Sequence, residues 1–294
     1  MNPAHVLLAL LVALVWGANF LVVKAGLEEL PPLLFTGLRF LAAAVPAVFL
    51  VGRRGLSWRL IVGVGLFIGA GLFGLLFLGM RLGMAPGLSS LVMQTQALFT
   101  VLLAALILGE KPTAAQLAGL GLAVAGMGLV GADAAALGGS LWGFVLVLGA
   151  AVSWSAGNVM LRAAGNVDMF RLMVWMSLVP PPLLFGLSAL FERGQLTALA
   201  GMGPVALGAV LYNGLAAHVF AFGAWGLLMQ TYSSAVVAPF ALLVPVFGMG
   251  LSAALLGEGF TPLKLAGCLL IFSGVLLNAL GRQFSSILAA VRCR

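Results

Sequence analysis

The sequence predicts an all-α integral membrane protein of ten transmembrane helices, arranged as two inverted five-helix repeats with N- and C-termini cytoplasmic. Three observations predict it. The 294 residues are 63% hydrophobic and 7% charged, with a mean hydropathy of +1.21, far from the soluble range. Proline, glycine and charge cut the chain into apolar runs of about 20 residues, the length a bilayer core needs. Finally, "ALFTVLLAALILGE" at 97–110 returns as "PVFGMGLSAALLGE" at 245–258, which puts Glu110 and Glu258 in matching places 148 residues apart.

In order, the expected spans are 4–24, 32–51, 60–81, 86–108, 114–131, 141–162, 170–190, 204–229, 234–256 and 263–281. The first follows Met1 to His5 without the charged start or cleavage site of a signal peptide, so it is expected to stay in the membrane. Pro31-Pro32 open the second, and Arg59 and Arg81 bracket the third. Pro86 opens the fourth, and Leu-Gly-Glu closes both it and the ninth. Thr113-x-x-Gln116 has capping-box form before the fifth, and Thr261-Pro262 is its counterpart before the tenth. The glycine-rich boundaries near 131–140 and 229–234 are short, so counts of nine or eleven stay open.

With the N-terminus inside, Arg53, Arg54, Arg59, Lys111, Arg162, Arg171, Arg282, Arg292 and Arg294 fall on the cytoplasmic side. Only Lys24, Arg81, Arg193 and Lys264 fall outside, and Arg39 lies within a span, which is the bias the positive-inside rule asks for. The basic charge is thereby explained as topology, with no nucleic acid implied. Cys268 and Cys293 are poorly placed for a disulfide and read as free thiols.

The 148-residue offset also pairs Ala118-Gly119 with Ala266-Gly267, Gly126 with Gly274, and Thr113 with Thr261. Going backwards it pairs Phe77 with Trp225, Gly74 with Phe222 and Ala70 with His218. A shorter offset relates Trp16, Ala18 and Lys24 to Trp154, Ala156 and Arg162. The domains are therefore 1–134, 135–284 and a basic cytoplasmic tail, 285–294. Five is odd, so the second half enters the membrane inverted, a design concentrated in transporters.

"WGANF" at 16–20, "GLRF" at 37–40 and the paired "LGE" phrases resemble the EamA domain, found twice in tandem in the drug/metabolite transporter superfamily. The resemblance covers nearly the whole chain. It implies export or exchange of small metabolites across a bacterial inner membrane, with the YddG-type aromatic amino-acid exporters as the nearest branch. It also places the third, fourth, eighth and ninth helices around a central cavity, with the first and sixth beside them. The second half departs from the pattern: Trp154-Ser155-Ala156 replaces Trp-Gly-Ala, Asn158 stands where Phe closes the phrase, and no Arg in the seventh span clearly matches Arg39.

On the eighth span His218, Phe222, Trp225 and Met229 form one helical stripe. Such stripes usually pack ordinarily, but a polar ring against lipid is costly, so this face is expected to meet protein or a wet cavity. The third-span stripe, Ala70, Gly74, Phe77 and Arg81, is small where its partner is large and would leave room for a flat ligand. Arg81 either attracts a departing carboxylate or snorkels to headgroups. The fourth span carries Gln94 and Gln96 among several hydroxyls, suited to a polar metabolite or to interhelical bonds. Trp16 and Asn19 are the cavity-facing candidates of the first span. Arg39 is a functional candidate by its depth and a structural anchor by its lack of an acidic mid-span partner.

No Asp or Glu lies near the middle of a span, which points to facilitated diffusion or exchange; His218 keeps a proton-coupled antiporter as the alternative. Pro239 and Pro245 are hinge candidates, and Pro180-Pro181-Pro182 interrupt the seventh span. Glycines seven apart on the fifth and tenth spans (119, 126; 267, 274, 281) suit tight packing within a repeat or between protomers, so monomer and homodimer both stay open. His5 and His218 cannot build a metal or catalytic cluster, so neither enzyme, cofactor nor metal is expected. Small-molecule substrate and membrane lipid are the expected partners. The rival of another class is a non-transporting receptor or assembly subunit, which would need no inverted repeat.

Overall fold

The computed structural model describes residues 1–53, 55–136, 140–165, 167–232 and 234–292. Arg54, the junction at 137–139, Cys293 and Arg294 lie outside the described residues, as do the side chains of Arg282 and Arg292 and the surroundings of Gly281. All the regular structure among those described is helical. The long helices are α1 (Pro3–Glu29), α2 (Pro32–Val48), α3 (Trp58–Arg81), α4 (Pro86–Leu108), α5 (Ala114–Ala136), α6 (Leu141–Ala164), α7 (Met169–Phe191), α8 (Pro204–Thr231), α9 (Ser234–Ala241 continuing as Leu243–Leu256) and α10 (Pro262–Arg292). A six-residue helix, Gln195–Ala200, joins α7 to α8. Among the described residues eight stretches are long and apolar enough to cross a membrane, while Pro32–Val45 and Pro262–Leu277 are shorter apolar helices.

The helix ends follow from local chemistry. Asn2, Ser57, Ser140 and Asp168 each cap the following helix by accepting a backbone N–H three residues on. The glycine of each Leu-Gly-Glu phrase ends its helix in the left-handed region, with φ of 69° at Gly109 and 63° at Gly257. A side chain there would be strained, which is why both phrases need glycine before the acid. Thr113 and Gln116 form the reciprocal capping box, at 3.3 and 2.8 Å. Thr261 caps α10 through Lys264 N and donates to Asp133 at the end of α5.

The start of α2 shows what replaces a local cap. Pro31 offers no side-chain acceptor, and Glu192 from the end of α7 accepts from Leu33 N at 2.7 Å and Leu34 N at 3.1 Å. Ser188 donates to the same carboxylate at 2.6 Å. Glu192→Ala is expected to cost about 1–2 kcal/mol, the usual worth of a helix cap, read as a lowered melting temperature in detergent. No loss would mean that water caps α2 equally well.

Several helices are irregular, and the two halves are irregular in the same places. A π-helical segment occupies Gly65–Gly71 of α3 and Tyr212–Phe220 of α8, matching positions at the 148-residue offset. The single 3-10 turn of α4, Met93–Thr95, matches the break of α9 around Leu242. π segments and helix breaks release backbone groups and recur at functional sites. The triple proline likewise separates Met169–Met176 from Pro180–Phe191 within α7.

Tight glycine packing joins α5 to α10, the last helices of the two halves, and not two helices of one repeat. A methyl group on Gly126 would sit 2.6 Å from Gly267 O, and one on Gly274 would sit 2.4 Å from Gly119 O. Small residues are therefore what lets these backbones touch.

Candidate functional site

Trp16 on α1 lies against the π segment of α8 and the turn beyond it. Its indole N–H donates to Ala217 O at 2.9 Å, and its ring centroid lies 5.1 Å from Phe222 and 5.4 Å from Trp225. All three residues are half-buried. Trp225 also packs against a small buried cluster of Ala9, Leu228 and Val237, which links the aromatic group to the first turns of α9.

A polar group of side chains faces α4. Asn158 of α6 donates to Gln96 Oε1 at 2.7 Å and to Thr100 Oγ1 at 3.2 Å, and Ser155 donates to Gln96 O. Gln94 donates to Ala241 O at 3.1 Å. That carbonyl lies four residues before Pro245, which has no N–H to return to it. Gln94 thus satisfies the acceptor that Pro245 frees, next to the break between Pro239 and Pro245. Gln94, Gln96 and Asn158 are all half-buried.

Other expected residues sit elsewhere. His218 is 2% exposed, its Nε2 paired with Ser177 Oγ at 2.9 Å, and it lies behind Phe222 and Phe40 at ring separations of 5.3 Å. Phe77 is completely buried against Phe35 and Phe73, away from the aromatic cluster on α8. The α3 stripe offers no space for a flat ligand: a methyl on Gly74 would already touch Leu184 and Leu33. A helical stripe identifies a face but not what covers it, and here α2 and α7 cover it. Asn19 is buried, with its Oδ1 unpartnered.

Arg81 is exposed and donates to Leu27 O at 2.6 Å, in a cleft it shares with Glu28, Glu29, Glu192 and Arg193. Three carboxylates against two guanidinium groups make this cleft a poor attractor for another carboxylate, so the geometry favours pinning the end of α1.

Arg39 is 1% exposed. Its guanidinium lies 3.8 Å from the Phe73 ring centroid and 5.0 Å from that of Phe40, with one long bond to Asn213 O at 3.5 Å. Its Nε and Nη1 have no partner. Among the described residues no cluster of His, Cys, Asp or Glu could hold a metal ion.

Sequence reasoning missed Glu258. It stands at the end of an apolar run, yet its side chain is 7% exposed. It accepts from Gly87 N at 2.9 Å, from Ser252 Oγ, and from Lys264 Nζ at 3.2 Å.

The chain belongs to the EamA-like transporter family, whose profile matches residues 4–132 and again residues 141–280. It is 41% identical over 283 residues to a "Probable amino-acid metabolite efflux pump" of Salmonella typhimurium, covering 93% of this chain and 94% of that one. A protein of the same description in Escherichia coli K12 is 38% identical over 94% and 95% of the two chains. An "Uncharacterized inner membrane transporter YedA" of Escherichia coli K12 is 28% identical over 92% and 88%. A solved crystal structure has the same fold, with a TM-score of 0.63 at 24% identity over 95% of this chain and 98% of its own.

Proposed function

We propose that this protein exports small amino-acid-like metabolites across a bacterial inner membrane by alternating access. The observation that carries the proposal is the similarity over nearly the full length to proteins described as amino-acid metabolite efflux pumps. The aromatic and amide-lined faces of α1, α4, α6 and α8 suit such a cargo. Half-buried rings take an apolar side chain, and uncharged donors and acceptors take a zwitterion's polar end. Trp16, Phe222, Trp225, Gln94 and Gln96 are the residues assigned to contact it, with Asn19 at their edge.

In this reading the chain spans the membrane ten times, as repeats 1–134 and 135–284 of opposite orientation with a basic tail, 285–294. Both termini are cytoplasmic, as the basic residues ask. The shared irregularities of α3 with α8 and of α4 with α9 support the repeat, since paired helices that bend at matching points can exchange conformations. Pro239 and Pro245 flank the bend in α9.

Transport is driven by the substrate gradient. His218 is enclosed by Phe40, Phe222 and Ser177, and a proton carrier needs access to water from each side in turn. The test is a flux screen of purified protein in liposomes with aromatic, aliphatic and charged amino acids and with lipophilic drugs. Net efflux of neutral amino acids without an imposed proton gradient is the expected result. Flux only under a proton gradient would overturn the uncoupled mechanism, and flux of none of these amino acids would overturn the cargo class.

A further inference from the structure

The two Leu-Gly-Glu phrases are alike in sequence and in helix geometry, but their carboxylates do different things. Glu258 reaches across to the start of α4. One oxygen takes the Gly87 N–H in the first turn of that helix and the Ser252 hydroxyl, and the other takes the Lys264 ammonium. Gly87 is what lets the carboxylate in: a methyl there would lie 2.8 Å from Glu258 Oε2 and 3.0 Å from the Met249 Cα. Ser90 and Gly248 continue the contact, so the segment Pro86–Val92 is closed against Leu243–Leu256.

Glu110 stands at the inverted position and bonds instead to Arg162 at 2.9 Å, with both side chains more than a third exposed. Among the described residues, the first turns of α9 (Ser234–Ala241) and the last turns of α4 (Gln96–Leu108) lack the close packing that joins the opposite pair. At the 148-residue offset the counterparts of Gly87, Ser252 and Lys264 are Ala235, Ala104 and Gln116. The inverted site around Glu110 thus keeps the acid but lacks the helix-start glycine, the hydroxyl and the ammonium that hold Glu258.

We propose that Glu258 is a latch that shuts one mouth of the transport path by tying α4 to α9, and that Glu110, lacking the matching partners, leaves the opposite mouth open at rest. Taken with the cytoplasmic termini proposed above, on which only the sidedness rests, the shut mouth is the outer one. Cargo then loads from the cytoplasm, and opening outward requires Gly87, Ser252 and Lys264 to release Glu258 to water. A transporter with one latched and one unlatched mouth has unequal populations of its two end states, which fits net export. Glu258 and its partners are positioning residues, since none of them is assigned to touch cargo.

The test uses the full chain with Cys268→Ala and Cys293→Ser, carrying one reporter cysteine. Met84→Cys lines the cleft beside Glu258, and Met229→Cys is exposed near the other end of α8. Labelling by a membrane-impermeant maleimide is followed in right-side-out and inside-out vesicles. The expected result is slow labelling at Met84→Cys that rises about tenfold with Gly87→Ala, which makes the first repeat resemble the second, and with Glu258→Gln. Labelling at Met229→Cys should fall in the same variants. Conversely, Ala235→Gly with Ala104→Ser and Gln116→Lys should build the missing latch and slow Met229→Cys labelling in an otherwise native chain.

Unchanged labelling in Gly87→Ala and Glu258→Gln proteins that remain monodisperse would overturn the latch. If Met84→Cys is reached only in inside-out vesicles while the dependence on the latch persists, the latch stands and the proposed sidedness fails. Latch-dependent labelling without amino-acid flux would separate the gate from the proposed cargo in the same way.

Discussion

Trp16→Ala is expected to lower transport by between one and two orders of magnitude while leaving the protein folded. The ring makes two aromatic contacts, each worth about 0.5–1.5 kcal/mol beyond simple burial, and its N–H bond to Ala217 O adds about 1 kcal/mol. The total, roughly 2–4 kcal/mol, acts at one local wall and not in the packed core that Phe35 and Phe40 fill. Because Trp16 holds a carbonyl of the α8 π segment, its loss should disturb both the surface offered to cargo and the bend behind it.

Two companion variants separate these contributions. Trp16→Phe keeps an aromatic face and loses the N–H, so it should raise KM modestly with a smaller fall in turnover. Trp225→Ala should fall nearly as far as Trp16→Ala, since the two rings form one surface. The measurement is initial efflux from liposomes over a range of internal substrate, alongside thermal melting in detergent. If Trp16→Ala transports within about twofold of the unmodified protein at unchanged stability, the cluster on α1 and α8 is packing and not a cargo wall.

Helix positions were legible in the sequence because their ends are written in local chemistry. Proline at 32, 86, 204 and 262, the Thr113 capping box and the glycines before Glu110 and Glu258 act within a turn or two of chain. The aromatic stripe on α8 was legible as a stripe for the same reason. Whatever depends on the facing helix was not. Phe77 and Gly74 share a face with Arg81, but their burial against α2 and α7 is a tertiary fact. The cap on α2 comes from Glu192, nearly 160 residues away, so no local window contains both partners. The π segments leave no mark beyond glycine in α3, and the one in α8 lacks even that density. The burial of Glu258 leaves no local mark, because the end of an apolar run usually meets water; only the position of Gly87 shows that it meets a helix start instead.

Arg39 supplies the other large effect, and three substitutions divide its possible roles. Arg39→Ala is expected to cost roughly 3–5 kcal/mol of stability, because it empties the largest fully buried side chain among those described and strips Phe73 of its cationic partner. Arg39→Lys should be nearly as poor, since a compact ammonium cannot lie flat on the Phe73 ring or reach Asn213 O in the same geometry. Arg39→Met is the informative variant. It fills similar volume without charge, and replacing a buried charge by a packed apolar side chain is often neutral or stabilising. Here the charge has no carboxylate, one long carbonyl bond, and two nitrogens, Nε and Nη1, with no acceptor, so its burial is incompletely compensated even with aromatic faces around it. Stability alone therefore does not account for an arginine at this position. The guanidinium joins α2 to Asn213 O in the π segment of α8 and to the aromatic face of α3, the two helices whose π segments lie at matching points. Arg39→Met is expected to melt at or above the temperature of the unmodified protein and to lose at least tenfold in turnover, with little change in KM. Full transport by that variant would reduce Arg39 to a structural anchor, and a melting temperature as low as that of Arg39→Ala would show that the faces of Phe40 and Phe73 stabilise the charge more than its missing hydrogen bonds cost.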